Sequence, residues 1–168
     1  EIARLESREI KADIRPTNVN DLVAKAERLF KVPAEKKGIA LQAEVPAEPL
    51  FAATDPVHAQ RILENFVSNA VKFSSAGQSI RLRLESQAQR VAIHIIDEGP
   101  GMSEEDQQNL FLKFKRLSAK PTGGESSTGL GLSIVKHLAD QIGAEIQVQS
   151  KLGDGATFSL LLPLFNDN

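Results

Sequence analysis

Polar and apolar positions alternate or recur along this chain with two periods, and the periods define its elements. Ile39, Leu41, Ala43 and Val45 alternate with Ala40, Gln42 and Glu44, which predicts a half-buried strand. The alternation returns at Ile80, Leu82 and Leu84, with Arg81 and Arg83 between them, and again at Ile146 and Val148 among Glu145, Gln147 and Gln149. Val91, Ile93 and Ile95 form a further strand, and a final apolar strand follows the turn GDGATF. Helical spacing fills the gaps. Leu22, Ala26, Leu29 and Phe30 share a face of a helix expected to be capped by Asp21 and to end near Lys37, with Gly38 at its C-terminus. A second helix runs from Pro56, behind Asp55, to about Phe73. A short one starts at Ser103, and another runs from about Leu130 to Ile142, stopping at Gly143.

Strands with one polar face belong to a sheet covered on one side only. The expected fold is therefore α+β: a two-layer α/β sandwich, with helices on one face of a mixed, mostly antiparallel sheet. A doubly wound sheet would have strands apolar on both faces. Residues 115–128 are polar, with Pro121, Gly123 and Gly124, and read as a long functional loop. Residues 1–12 read as the end of an upstream dimerisation helix or a linker, and 13–168 as the domain proper.

Composition narrows the classes. The 168 residues, 41% hydrophobic and 25% charged, suit a single soluble globular domain. A formal net charge of -2 gives no reason to expect nucleic acid as a partner. Cysteine is absent, which excludes disulfide and thiolate chemistry. No apolar run reaches the length that spans a bilayer. The chain begins with Glu1 and reads as a cytoplasmic piece of something longer, compatible with a membrane anchor elsewhere.

Four segments carry candidate chemistry. In NFVSNAVKF, Phe66, Val67, Ala70 and Val71 lie on the apolar arc of the second helix, while Asn69 falls at its margin beside Asn65 and Lys72. Each polar residue alone is an ordinary surface residue. Together they line one helix edge with two amides and a cation, followed by the ring of Phe73. An amide oxygen is a hard, neutral ligand for Mg²⁺. In RVAIHIIDEGPGM, Asp97 points to the same side as Ile95 by period two, a costly place for a carboxylate unless it is hydrogen-bonded. It is suited either to a turn closed on nearby amides or to accepting the exocyclic amine of adenine, with Gly99 and Gly101 allowing close backbone approach. In STGLGLSIVKHL a glycine-rich turn opens a helix, a setting for phosphate without the dinucleotide fingerprint or a Walker lysine. GDGATF reads as a hairpin turn.

In order and spacing these segments resemble the ATP-binding catalytic domain of sensor histidine kinases, within the gyrase, Hsp90, histidine kinase and MutL group. NFVSNAVKF looks like the N box, DEGPG, TGLGL and GDGATF like the three glycine boxes, and FLKF, with Phe111 and Phe114, like the F box. The resemblance implies a Bergerat-type fold, ATP and Mg²⁺ as ligands, and roles for individual residues. Asn69 and Asn65 would hold magnesium, Lys72 would meet phosphate, Phe73 would stack on adenine, and Asp97 would read its amine with Thr157 sharing a water. The segment from Phe111 to Gly131 would form a lid, with Gly129, Leu130, Gly131 and Leu132 on the phosphates and Arg116 facing the γ-phosphate. Asn69, Lys72 and Arg116 would be the catalytic set. Lys113 and Lys115 depart from the family's usual residues. The phosphoacceptor histidine would lie on a dimerisation domain of the same protein, followed by a response regulator as acceptor, and the domain alone would be a monomer. None of His58, His94 and His137 stands in a phosphoacceptor context. Two other readings compete: an ATPase of the gyrase type, which needs a glutamate where Asn65 stands, and a non-catalytic nucleotide-sensing module.

Overall fold

The computed structural model describes residues 11–111 and 131–167. Strand β1 (Arg15–Asn18) leads into helix α1 (Val19–Lys36), strands β2 (Ala40–Glu44) and β3 (Phe51–Thr54), and helix α2 (Pro56–Phe73). Strands β4 (Ser79–Gln87) and β5 (Arg90–Asp97) follow, then helices α3 (Glu104–Gln108) and α4 (Gly131–Gln141), and strands β6 (Glu145–Ser150) and β7 (Ala156–Pro163). The main sheet has the order β2-β4-β5-β7-β6, parallel only between β2 and β4. The expected two-layer sandwich on a mixed, mostly antiparallel sheet is the observed one.

Local chemistry sets the boundaries. Asp55 caps α2, its Oδ1 accepting from the N–H groups of Val57 (2.9 Å) and His58 (3.2 Å), and Pro56 fills the first helical position. Ser103 caps α3 through Asp106 N–H. Gly38 takes φ +77° beyond the end of α1, a conformation that favours glycine. The cap of α1 is Asn18 rather than Asp21: Asn18 Oδ1 accepts from Asp21 N–H, so Asp21 sits inside the first turn as a dipole-favoured acid. Strands β1 and β3 were not signalled by the pattern. They pair with each other, antiparallel, in a separate two-stranded sheet. Each has only four residues and neither alternates apolar with polar positions.

The core lies between the helices and one sheet face. Phe66, Ile62 and Leu63 of α2 pack over Ile80, Leu82, Ile93, Ile95, Leu160 and Leu162, all essentially fully buried. Phe66 meets Phe158 edge-to-face, with ring centroids 5.1 Å apart. The opposite face carries polar groups, among them His94, whose ring bonds to Ser159 Oγ (2.6 Å) and Glu85 Oε1 (2.9 Å). The expectations for residues 1–10, for Phe114 and for the whole loop 115–128 lie outside the described residues, and Lys11 to Ile14 have no regular structure. Among the described residues no helix is long and apolar enough to cross a membrane.

Candidate functional site: a cleft between the amide helix and the acidic strand tip

The C-terminal turns of α2 and the end of β5 face each other across a mostly apolar cleft. Asn69, Ala70, Phe73 and Phe66 line it from the helix, and Ile95 and Asp97 from the strand. Pro100, Gly101 and Met102 close one side, Ala156 and Phe158 of β7 the floor. Asn69 and Asp97, which sequence reading assigned to one ligand, thus share one cavity.

Asp97 reaches it because Val91, Ile93 and Ile95 fix the parity of β5, and a core-facing side chain at the strand tip emerges beside the helix. Burial pushes its carboxyl up from the ordinary carboxylate value, while the backbone N–H groups of Gly99 and Ala156 hold it back. The Gly99 bond, to Oδ1, is 2.9 Å. Glycine is required around it. A Cβ on Gly99 would stand 2.9 Å from the Phe73 carbonyl oxygen, and one on Gly101 (φ +72°) would collide with the Lys151 carbonyl. Gly155 (φ +77°) lies so close against the Asp97 carbonyl that a side chain there would displace the acid.

Along the edge of α2, Asn69 donates from Nδ2 to Asn65 Oδ1 at 3.3 Å, which leaves the Asn69 Oδ1 free of that pairing. Asn65 does not line the cleft. It meets the first residue of α4 instead: a Cβ on Gly131 would fall 2.7 Å from Asn65 Nδ2, so glycine allows the N-terminus of that helix to sit on the amide edge. Lys72 is half-buried one turn beyond Asn69, outside the cleft lining. Leu132 buries its side chain in the core, leaving only its backbone for a ligand. Phe111 packs against the core, and Arg116, Gly129 and Leu130 lie outside the described residues.

Thr157 requires correction. Register pairs Asp97 with Ala156 and Ile96 with Thr157, so Thr157 projects to the sheet face opposite the cleft that Asp97 lines. Ala156 occupies the position facing the acid, and it has no hydroxyl to offer. Sequence reading also missed Met102, Ala156 and Phe158 as cleft walls. Period-two counting back from Phe158 finds Ala156, whereas nothing in the pattern marks Met102, whose place depends on Ser150 Oγ accepting from its N–H at 2.9 Å.

The apolar walls, the acid at the strand tip, the glycines at the rim and the Asn69 amide along one side suit a purine nucleotide. Residues 54–166 match the family model described as histidine kinase-, DNA gyrase B-, and HSP90-like ATPase. The chain belongs to that family, as an ATP-binding catalytic domain of the kind found in sensor histidine kinases. It is 32% identical over 162 residues to the sensor histidine kinase YcbM of Bacillus subtilis, covering 96% of this chain and 52% of that protein. It is also 32% identical to the sensor-like histidine kinase SenX3 of Mycobacterium tuberculosis, covering 97% of this chain and 40% of that one. The chain therefore spans about half or less of these relatives. Among solved structures, full-length ShkA in complex with AMPPNP superposes with TM-score 0.82 at 29% identity, over 96% of this chain and 33% of that one. The catalytic domain of histidine kinase ThkA superposes at 0.77 and 26% identity, over 90% and 95%.

Proposed function

We propose that this domain binds Mg-ATP in the cleft and donates the γ-phosphoryl group to a histidine on a dimerisation domain of the same protein. The observation that carries this reading is the shared cavity of Asn69 and Asp97. Asp97 accepts the exocyclic amine of adenine, a job for the ionised carboxyl, and Gly99 and Gly101 bring the backbone against the base. Phe73 and Met102 enclose it. Asn69, with Asn65 behind it accepting from its Nδ2, turns its own amide oxygen toward the phosphates.

Those amides fit magnesium. Among the described residues no group of three His, Asp or Glu side chains could hold a metal alone, so the ion would depend on Asn69, Asn65, phosphate oxygens and water, a division Mg²⁺ prefers. Bound there, it would neutralise phosphate charge. Lys72 approaches the same charge, and Arg116 with the glycines at Gly129 and Gly131 completes the proposed phosphate contacts. Catalysis is then positioning and charge neutralisation, with an imidazole nitrogen attacking the γ-phosphorus in line and ADP leaving. The ATPase reading gains nothing from the site. Asn65 stands where a water-activating glutamate is needed, and Glu64 is not among the cleft residues.

The proposed partners are a histidine-bearing dimerisation domain and, after it, a response regulator, and the proposed location of the domain is the cytoplasm. The test supplies the missing substrate. The chain with γ-labelled ATP, Mg²⁺ and a separately produced dimerisation domain should place acid-labile label on that domain's histidine. Rapid release of inorganic phosphate with no label transferred would contradict the proposal.

A further inference from the structure

Two segments far apart in sequence must hold the Phe73 ring and the Asp97 carboxyl at a fixed separation, and neither wall of the cleft fixes it alone. The last carbonyls of α2 lack helical partners. Ala70 O accepts from Ser74 N–H at 3.0 Å, but Val71 O and Lys72 O are taken by Lys37 Nζ, at 2.7 and 3.0 Å. Lys37 comes from the end of α1, and its charge is favourable at a helix C-terminus. The turn at Gly38 secures it, since Gly38 O accepts from Gly77 N–H at 2.9 Å. On the other side, Gln78 accepts from Ser75 N–H (2.7 Å) and donates from Nε2 to Glu98 O (2.9 Å). The Glu98 carboxylate accepts from Ser79 N–H. Residues 74–78 are thus clasped at one end by Lys37 and at the other by the residue next to Asp97. Neither Lys37 nor Gln78 lines the cleft.

We propose that Lys37 and Gln78 are positioning residues that set the spacing between the aromatic wall and the adenine-reading acid, and so the selectivity for a 6-amino purine. This rests on the reading of Asp97 given above. Loosening either clasp lets Asp97 drift from the amine while the phosphate contacts persist, so selectivity falls more than overall binding.

Calorimetric titration with ATP and with ITP, in which a carbonyl replaces the 6-amine, reads this directly. The native chain should favour ATP. In Lys37→Met and in Gln78→Met the ATP-to-ITP affinity ratio should fall about threefold to tenfold, the worth of one impaired hydrogen bond, and Lys37→Arg should restore it. A merely structural role would lower the unfolding temperature and leave the ratio unchanged. Should Lys37→Met fail to fold, Gln78→Met, whose bonds are exposed, decides alone. An unchanged ratio beside a discriminating native chain overturns the positioning role only. A native chain that binds both equally overturns the assignment of Asp97, and this inference with it.

Discussion

At the scale of single residues, Asp97 joins function to a stability cost. Its folded pKa is raised above the ordinary value of 3.8, so between the two values the folded state binds more protons than the unfolded one. Stability therefore falls as pH rises through that window. Asp97→Asn removes the ionisation, keeps an oxygen for Gly99 N–H, and should be at least as stable as the native chain near neutral pH while binding ATP far more weakly. Urea midpoints at pH 4 and pH 7 check the first half: the variant's advantage should grow toward pH 7. An advantage that shrinks on raising the pH would contradict the burial account. The glycines behave oppositely. Gly155→Ala places a Cβ into the Asp97 carbonyl at positive φ, and should cost more than about 1 kcal/mol as well as affinity.

At the scale of elements, α2 is both the core's centre and the site's amide edge. Asp55 starts it, and is buried. Burial pushes its carboxyl up, but the N–H groups of Asp13, His58 and Val57 and the charge of His58 outweigh that, leaving the pKa below the ordinary value. A depressed folded value stabilises above pH 3.8 and loses that contribution as pH falls through the folded pKa. Asp55→Ala should cost about 1–2 kcal/mol at pH 7 by urea denaturation, and less in acid. Phe66→Ala, which empties the contact with Phe158, should cost about 3–5 kcal/mol and enlarge the cleft it lines.

Why so much of this was legible lies in those same residues. Asp55, Pro56 and the arc from Ile62 to Val71 give α2 from local rules, and parity alone aims Asp97 at it. The pairing of β1 with β3 was hidden because it depends on long-range partners, not on period. Asn18 outcompeted Asp21 for the cap because β1 ends there, one residue before the helix. Thr157 was misplaced because motif order ignores parity: Ala156, between the glycine and Thr157, shifts the hydroxyl by one residue and so to the other face.

At the scale of the whole molecule, the sheet and its helices form a platform for the cleft between α2 and β5, and a bound nucleotide should add to its stability. A ligand at a hundred times its Kd adds about 2.7 kcal/mol, so ATP analogues should raise the unfolding temperature markedly. The isolated chain should bind them without labelling itself, since His94 is held by Ser159 and Glu85 on the face away from the cleft. Stable radiolabel on the chain alone would count against this. The central claim, that helix edge and strand tip meet on one nucleotide, is tested most directly by calorimetry of ATP, with and without Mg²⁺, on the native chain, Asp97→Asn and Asn69→Ala. The account predicts that Asp97→Asn weakens binding under both conditions, whereas Asn69→Ala removes only the gain that Mg²⁺ brings. Native affinity in Asp97→Asn, or an Asn69→Ala chain that responds to Mg²⁺ like the native one, would contradict it.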